Sequence, residues 1–424
     1  MIQTLKNAWQ IPEMRKKIFY TIMLLVVFRF GAAIPVPFMS ADAMRELVAA
    51  SGDGSFIALM DAFSGGAFAN ATIFAMSIAP YINASIIMQL LTVAVPALER
   101  LSKEGNEGRK KINKYTRYFA VILGFLQAAG LYMALSFAIT TPGPLAFFVM
   151  TLTFTAGTAF LMWLGEQIQE HGIGNGISLL IFAGIVSTGP AMIADIAANF
   201  GVHLGPVSLA LWIIGAILLV AAVVFMNDSE RRLQVQYAKR VVGRKMYGGQ
   251  SSHIPIKMLA AGVLPIIFAM SILAFPSTIA ALFGQTADTA TGFVGWMLTT
   301  FTMTSWTYVI IYFLLVIFFT YFYTSIQFPT NDIAINMKKQ GGFMPGIRPG
   351  KPTADHIIKI LTRITFAGAV FLGIIAVLPI VLSMFFPFSL GIGGTSLLIA
   401  VSVALETSKQ LESNMVQRNY KGFL

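Results

Sequence analysis

The chain has 424 residues, 56% of them hydrophobic and 11% charged, with a mean hydropathy of +0.75. Soluble domains carry about 25% charged residues, so composition excludes that class and leaves a membrane protein with several spans. A net charge of +11 would suit a nucleic-acid binder, but its distribution matters more than its sum; the absence of cysteine excludes disulfides, thiolate catalysis and Cys-ligated metals.

Ten apolar stretches are predicted to span, at residues 18–36, 68–95, 115–139, 145–166, 177–198, 206–227, 257–281, 305–327, 360–384 and 394–412. The first runs on to Pro35 without a small-residue cleavage pattern, so it is read as a retained helix. Arg29 lies inside it and is expected to snorkel towards the outer headgroups. Next comes "GDGSFIALMDAFSGGAFAN", residues 52–70, in which Phe56 to Phe63 is apolar but too short to cross a membrane. It is either a surface helix on the outer face or a re-entrant segment, and Gly65 and Gly66 supply a joint into the second span. Ile78 and Ile82 share a helix face, as do Ile181 and Ile185; that spacing by itself points to lipid contact or bundle packing. "HGIGNGIS", 171–178, follows a predicted helix and reads as a helix-to-helix turn. Pro80, Pro265 and Pro379 are expected to bend the spans that hold them.

The connections carry the charge. Every lysine and arginine except Arg29 and Arg45 falls on the side shared by both termini, which the positive-inside rule makes the cytoplasm. Two sets of five spans, if related, would be inverted with respect to each other: an N-terminal half over 1–202 and a C-terminal half over 203–424, joined around 199–205. Two basic connections, within 229–257 and 328–359, project from the second half. In the first, Leu233, Val235 and Tyr237 alternate as in a strand, and a turn near Gly243 makes a hairpin bearing Lys239, Arg240, Arg244 and Lys245. In the second, "KKQGGFMPGIRPGKPT", glycine and proline favour a shaped loop over helix or strand, with Arg348 between Gly346-Ile347 and Pro349-Gly350. Two shaped basic projections exceed what topology needs, which points to docking of an acidic protein or an RNA phosphate backbone.

Catalytic chemistry is not legible. There is no G-x-x-x-x-G-K-[ST] phosphate loop, and the histidines at 171, 203, 253 and 356 are scattered. Glu166, Asp195 and Glu406 fall near span ends, whereas proton-coupled transporters need such groups at depth. The expectation is a passive protein with no metal, cofactor or catalytic residue. The alternative is a secondary transporter of a small solute, which would place polar ligands at the midplane.

Six stretches, "FSGGAFANATIFAMSIAPYINASIIMQLL", "KEGNEGRKKINKYTRY", "HGIGNGISLLIFAGIV", "VQYAKRVVGRKMYGGQSSHIPIK", "FMPGIRPGKPT" and "IGGTSLLIAVSVALE", resemble in order the SecY family, the channel subunits of the bacterial Sec protein translocase. The resemblance implies an all-α polytopic membrane protein with ten transmembrane helices in two inverted five-helix halves around a pore. It implies a pore ring of Ile78, Ile82, Ile181, Ile185, Ile267 and Ile399. It also implies a plug (about residues 52–66) formed by Gly54, Ser55, Phe56, Ile57, Ala58, Leu59, Met60, Asp61, Ala62, Phe63 and Ser64. A lateral gate would lie between spans two and three and spans seven and eight. The basic hairpin and Arg348 would dock the SecA motor ATPase or the ribosome through its rRNA, and SecE and SecG would be small partner subunits. Signal peptides, nascent chains and membrane lipid would complete the partners, in a bacterial cell membrane. One departure stands out: where the family commonly reads "KVNxAG" entering the seventh span, this chain reads "KMLAAG", with Leu259 in the asparagine position.

Overall fold

The computed structural model describes residues 2–50, 56–199, 206–237, 240–242, 245–247, 251–259, 262–282, 292–302, 305–385 and 394–421. Its first part runs α1 (Ile2–Gln10), α2 (Pro12–Gly31), α3 (Ala41–Ala50), α4 (Phe56–Ser64), α5 (Ala79–Ala94), α6 (Pro96–Lys103), α7 (Asn106–Ala134), α8 (Pro144–His171), α9 (Gly176–Asn199) and α10 (Pro206–Asp228). Strands β1 (Glu230–Tyr237), β2 (Arg240–Val242), β3 (Lys245–Tyr247) and β4 (Ser251–Lys257) follow. The chain then continues through α11 (Leu264–Leu282), α12 (Gly292–Thr300), α13 (Trp306–Gln327), α14 (Thr330–Lys339), β5 (Gly342–Phe343), α15 (Lys351–Phe385) and α16 (Gly394–Lys421).

Among the described residues, Asn106–Ala134, Pro144–His171, Trp306–Lys339 and Lys351–Leu382 are each long and apolar enough to cross a bilayer, and the bent pair α5–α6 adds a fifth candidate. A helix also lies at each of the other expected spans. Phe19, Phe30, Ile217, Leu218 and Phe225 project outward and exposed, a surface that water would penalise and hydrocarbon would not. The chain is a multi-pass membrane protein.

Proline marks where helices start. Pro12, Pro80, Pro96 and Pro144 each occupy the first turn of a helix, where the missing N–H would have had no intrahelical partner. This corrects the expectation for Pro80, which begins α5 instead of bending it. Pro265 likewise sits in the first turn of α11, and Pro379 alone of the expected three lies inside a helix. At Val95 the chain breaks ahead of Pro96, and α6 leaves α5 at 98°.

The second span is not helical from residue 68. Residues 65–78 are largely turns, and α5 starts only at Ala79. Gly65 and Gly66 take φ of 72° and 82°, and Ala71 and Ser77 take 51° and 52°, a region that costs an L-residue about 1–2 kcal/mol. The segment just beyond α2 offsets that cost. The Val36 N–H donates to the Ala71 carbonyl at 2.8 Å, the Ile73 N–H donates to the Ile34 carbonyl at 3.0 Å, and Pro35 and Thr72 form an antiparallel bridge. Gly157 of α8 admits this segment, because a Cβ there would collide with the Ile73 carbonyl oxygen. The seventh span also starts late: β4 runs to Lys257 and α11 begins at Leu264.

Helix packing joins the two ends of the chain. α7 packs on α5, α8 and α11, and α11 also meets α5 and α13. α16 packs on α9, α10 and α15, while α2 meets α8 and α9. At the basic end, β1 alternates as its sequence predicts, with Leu233 and Val235 buried. It pairs antiparallel with β4 on one edge and with β5 on the other, Gln236 opposite Phe343 and Tyr237 opposite Gly342. The second basic loop therefore contributes a strand, contrary to expectation, and the two projections form one platform over α14 and α15. Leu233, Val235, Ile256, Met344 and Ile357 are its buried core.

Gly157→Ala is expected to destabilise the protein by about 1–3 kcal/mol, as over-packing against backbone does. Gly215→Ala, with nothing near its added methyl, should leave stability unchanged or slightly raised. Thermal unfolding of the two variants in detergent checks the contrast.

Candidate pore and its closure

The six isoleucines come from four helices. Ile78 caps the start of α5 and Ile82 follows one turn later; Ile181 and Ile185 lie on α9, Ile267 on α11 and Ile399 on α16. All six are buried, from 0% exposed at Ile399 to 8% at Ile82, within one contiguous apolar cluster. Lipid contact, which their spacing left open, is excluded for the whole set.

The short helix α4 leans on this cluster. Phe63 packs against it, while Ile57 and Met60 pack against a second cluster containing Val36, Met44 and Phe68. Contact with α9 is close because residue 184 is glycine: a Cβ there would lie 2.5 Å from the Phe63 carbonyl oxygen. The Ser77 hydroxyl donates to that same oxygen at 3.2 Å. Asp61 and Ser64 tie the helix to the returning chain. The Ala69 N–H donates to Asp61 Oδ1 at 2.7 Å and the Phe68 N–H to Ser64 Oγ at 3.1 Å. α4 is not a spanning helix; burial pushes the Asp61 carboxyl above the ordinary carboxylate range, and backbone N–H groups of Ala69 and Phe68 pull against that. Gly54 and Ser55 lie outside the described residues, as do the side chains of Phe56, Ala58 and Leu59.

Arg29 is exposed and makes contacts that its sequence did not predict: its Nη1 donates to the Gly65 carbonyl at 2.7 Å and to Ser187 Oγ on α9 at 3.1 Å. Ser187 Oγ in turn donates to the Gly184 carbonyl at 2.7 Å. A second guanidinium reaches the same joint indirectly: Arg45 donates to Asn70 Oδ1 at 2.8 Å, and Asn70 Nδ2 donates to the Gly66 carbonyl at 2.7 Å. The signal in the sequence was the bare presence of an arginine in an apolar span, which is costly enough to be functional by default.

Of the docking residues, Lys239 and Arg244 lie outside the described residues, and only the backbones of Arg240 and Lys245 are described, within the antiparallel pair β2–β3. Arg348 is exposed on a loop whose Gly346 and Gly350 take φ of 80° and 107°. The Thr353 hydroxyl, at the start of α15, donates to the Arg348 carbonyl at 2.9 Å and ties the loop to a rigid element. At the expected gate seam, α11 packs on α5 and α7. Leu259 packs against the isoleucine cluster and, with Lys257, Val263, Glu406 and Lys409, lines a cavity of about 320 Å³. "HGIGNGIS" is a helix-to-helix turn, with Gly174 at φ 84° and Asn175 Oδ1 accepting from the N–H of Ile177 and of Ser178.

A family model described as SecY matches residues 72–408. Curated relatives named "Protein translocase subunit SecY" align over the whole chain. The one from Bacillus subtilis (strain 168) is 45% identical and is itself covered completely. The one from Thermotoga maritima is 42% identical with 98% of its length covered. The chain belongs to the SecY family. Solved structures agree in fold with this SecY-family chain at lower identity. One described as "The structure of a protein conducting channel" has a TM-score of 0.68 at 20% identity, covering 95% of this chain and 93% of that one. Another, "Sec61 in the Canine ribosome-channel complex from the endoplasmic reticulum", has a TM-score of 0.63 at 20% identity, with 95% of this chain and 93% of that one covered.

Gly184→Ala is expected to push α4 off α9 and raise the resting ion conductance of membranes containing this SecY-family protein several-fold. A conductance equal to that of the parent would show that α4 does not need its close seat.

Proposed function

We propose that this SecY-family protein is the protein-conducting channel subunit of a Sec translocase, passing unfolded polypeptides across the membrane and releasing apolar segments sideways into lipid. The observation that carries the reading is the meeting of Ile78, Ile82, Ile181, Ile185, Ile267 and Ile399 from four separate helices, with Phe63 against them. Aliphatic side chains offer an ion no ligands and hold water poorly, so a narrow collar of them seals by dewetting. They also offer a sliding chain no hydrogen bonds or charges to hold it. α4 is the plug that covers this collar.

The two five-helix halves, 1–202 and 203–424, are inverted repeats that part along the seam of α5 and α7 with α11 and α13. A segment exposed there partitions by composition: at a helix centre Leu, Ile, Phe or Val is each worth roughly −0.3 to −0.6 kcal/mol and a charge about +2.5 to +3.5. Signal peptides use the same exit. The basic end and both termini face the cytoplasm of a bacterial cell, where the platform carrying Arg348 and the β2–β3 hairpin meets SecA or the ribosome. ATP hydrolysis belongs to SecA, and SecE and SecG accompany the channel as small subunits. Transport of a small solute, the other reading left by composition, is not favoured by the full-length relatives described above, which are named as translocase subunits.

Ile399→Asn sets an amide in the collar, where an unsatisfied polar group costs about 1–3 kcal/mol; water enters with it. The expected outcome is a higher resting leak and export of precursors with defective signal sequences. Unchanged leak and selectivity would count against the collar. Arg348→Glu reverses the charge at the tip of the loop, and SecA-driven export in vesicles should fall at least ten-fold while membrane levels of the protein persist. Normal SecA-dependent export would remove Arg348 from the docking surface.

A further inference from the structure

We infer that Arg29 is a positioning residue for the plug: its guanidinium holds the Gly65 carbonyl and the Ser187 hydroxyl together and so sets how readily α4 leaves the pore. The inference rests on α4 being the plug. Gly65 is the first residue after α4, at the left-handed joint about which that helix must swing. Its backbone approaches α9 so closely that a Cβ would stand 2.7 Å from Ser187 Oγ and 3.1 Å from Gly184 Cα. Arg29 belongs to α2 and Ser187 to α9, so the bond at 2.7 Å to Gly65 and the bond at 3.1 Å to Ser187 join three separate elements at one point.

The chemistry suits a latch. A guanidinium keeps its charge at any pH the protein meets, and here the two N–H groups of one nitrogen, Nη1, serve both acceptors at once. Hydrogen bonds to a charged group are worth about twice neutral ones, and a cation left unpaired near hydrocarbon is penalised further. Displacing α4 removes the Gly65 acceptor, so the closed position is favoured until an entering chain overcomes that preference. The Arg45–Asn70–Gly66 relay reaches the neighbouring carbonyl only through an intervening amide and is the weaker arm.

The chain contains no cysteine, so Met60→Cys on α4 provides a single reporter. In intact cells with the translocase complete, its labelling by a membrane-impermeant maleimide added from outside measures plug excursions. Arg29→Ala in this background should raise the labelling rate on the order of ten-fold, the ratio expected for losing about 1.4 kcal/mol from the closed state. Export of a signal-defective precursor should rise with it, while export of the intact precursor persists, an outcome that general destabilisation would not produce. Should Arg29→Ala fail to accumulate, Arg29→Lys carries the test: it keeps the charge on a shorter side chain that does not reach the Nη1 position, and labelling should rise by a few-fold. Parental labelling and selectivity in whichever variant accumulates would overturn the latch. A chain lacking residues 56–64 separates the two readings. If that chain leaks while the Arg29 variants stay tight, the latch alone fails; if it stays ion-tight and selective, α4 is not the plug and both fail.

Discussion

Peptide groups inside a bilayer must find their hydrogen bonds within the protein, and in this chain that requirement bears hardest on residues 65–78. The segment is irregular, carries two non-glycine residues at positive φ, and lies where a spanning helix would have satisfied itself. It persists because Ile34 to Val36, just beyond α2, pair with it as a strand would, because Gly157 lets it close on α8, and because Arg29 and Ser77 serve the carbonyls at its junction with α4. Without those partners the cheapest structure for so apolar a sequence would be a continuous helix, and α4 would have no place beside the isoleucines.

The same economy governs the proposed pore. A tight site for any one substrate would need oriented polar groups, whereas a passage for arbitrary polypeptide must avoid them. Isoleucine meets that need: it is bulky enough to close a narrow waist and stiff at χ1. A collar so built supplies no driving force, which is why the proposed function places the energy source in a docked partner and the selectivity in the seam and plug.

The basic platform follows a related logic. A connection 11 residues long, from Gln340 to Gly350, could not by itself hold Arg348 in a defined place. Pairing β5 with β1, three left-handed glycines and the Thr353 tie convert it into a feature with a fixed root. Contact surfaces offered to a large partner gain from such preorganisation, since less chain entropy is lost on docking.

Periodicity and composition in the sequence alone determined the membrane class, a helix at each expected span, and the alternation of β1, because each depends on local composition or on a short repeat. Motif resemblance pointed to the isoleucines and the plug, which spacing could not distinguish from lipid-facing positions. Only the tertiary structure decided that residues 65–78 are not helix, that Pro80 starts α5, that the two basic loops share one sheet, and that Arg29 bonds to Gly65. Each of those outcomes depends on partners more than thirty residues away in the chain or on a close approach that one glycine permits, and neither leaves a mark in a window of neighbouring residues.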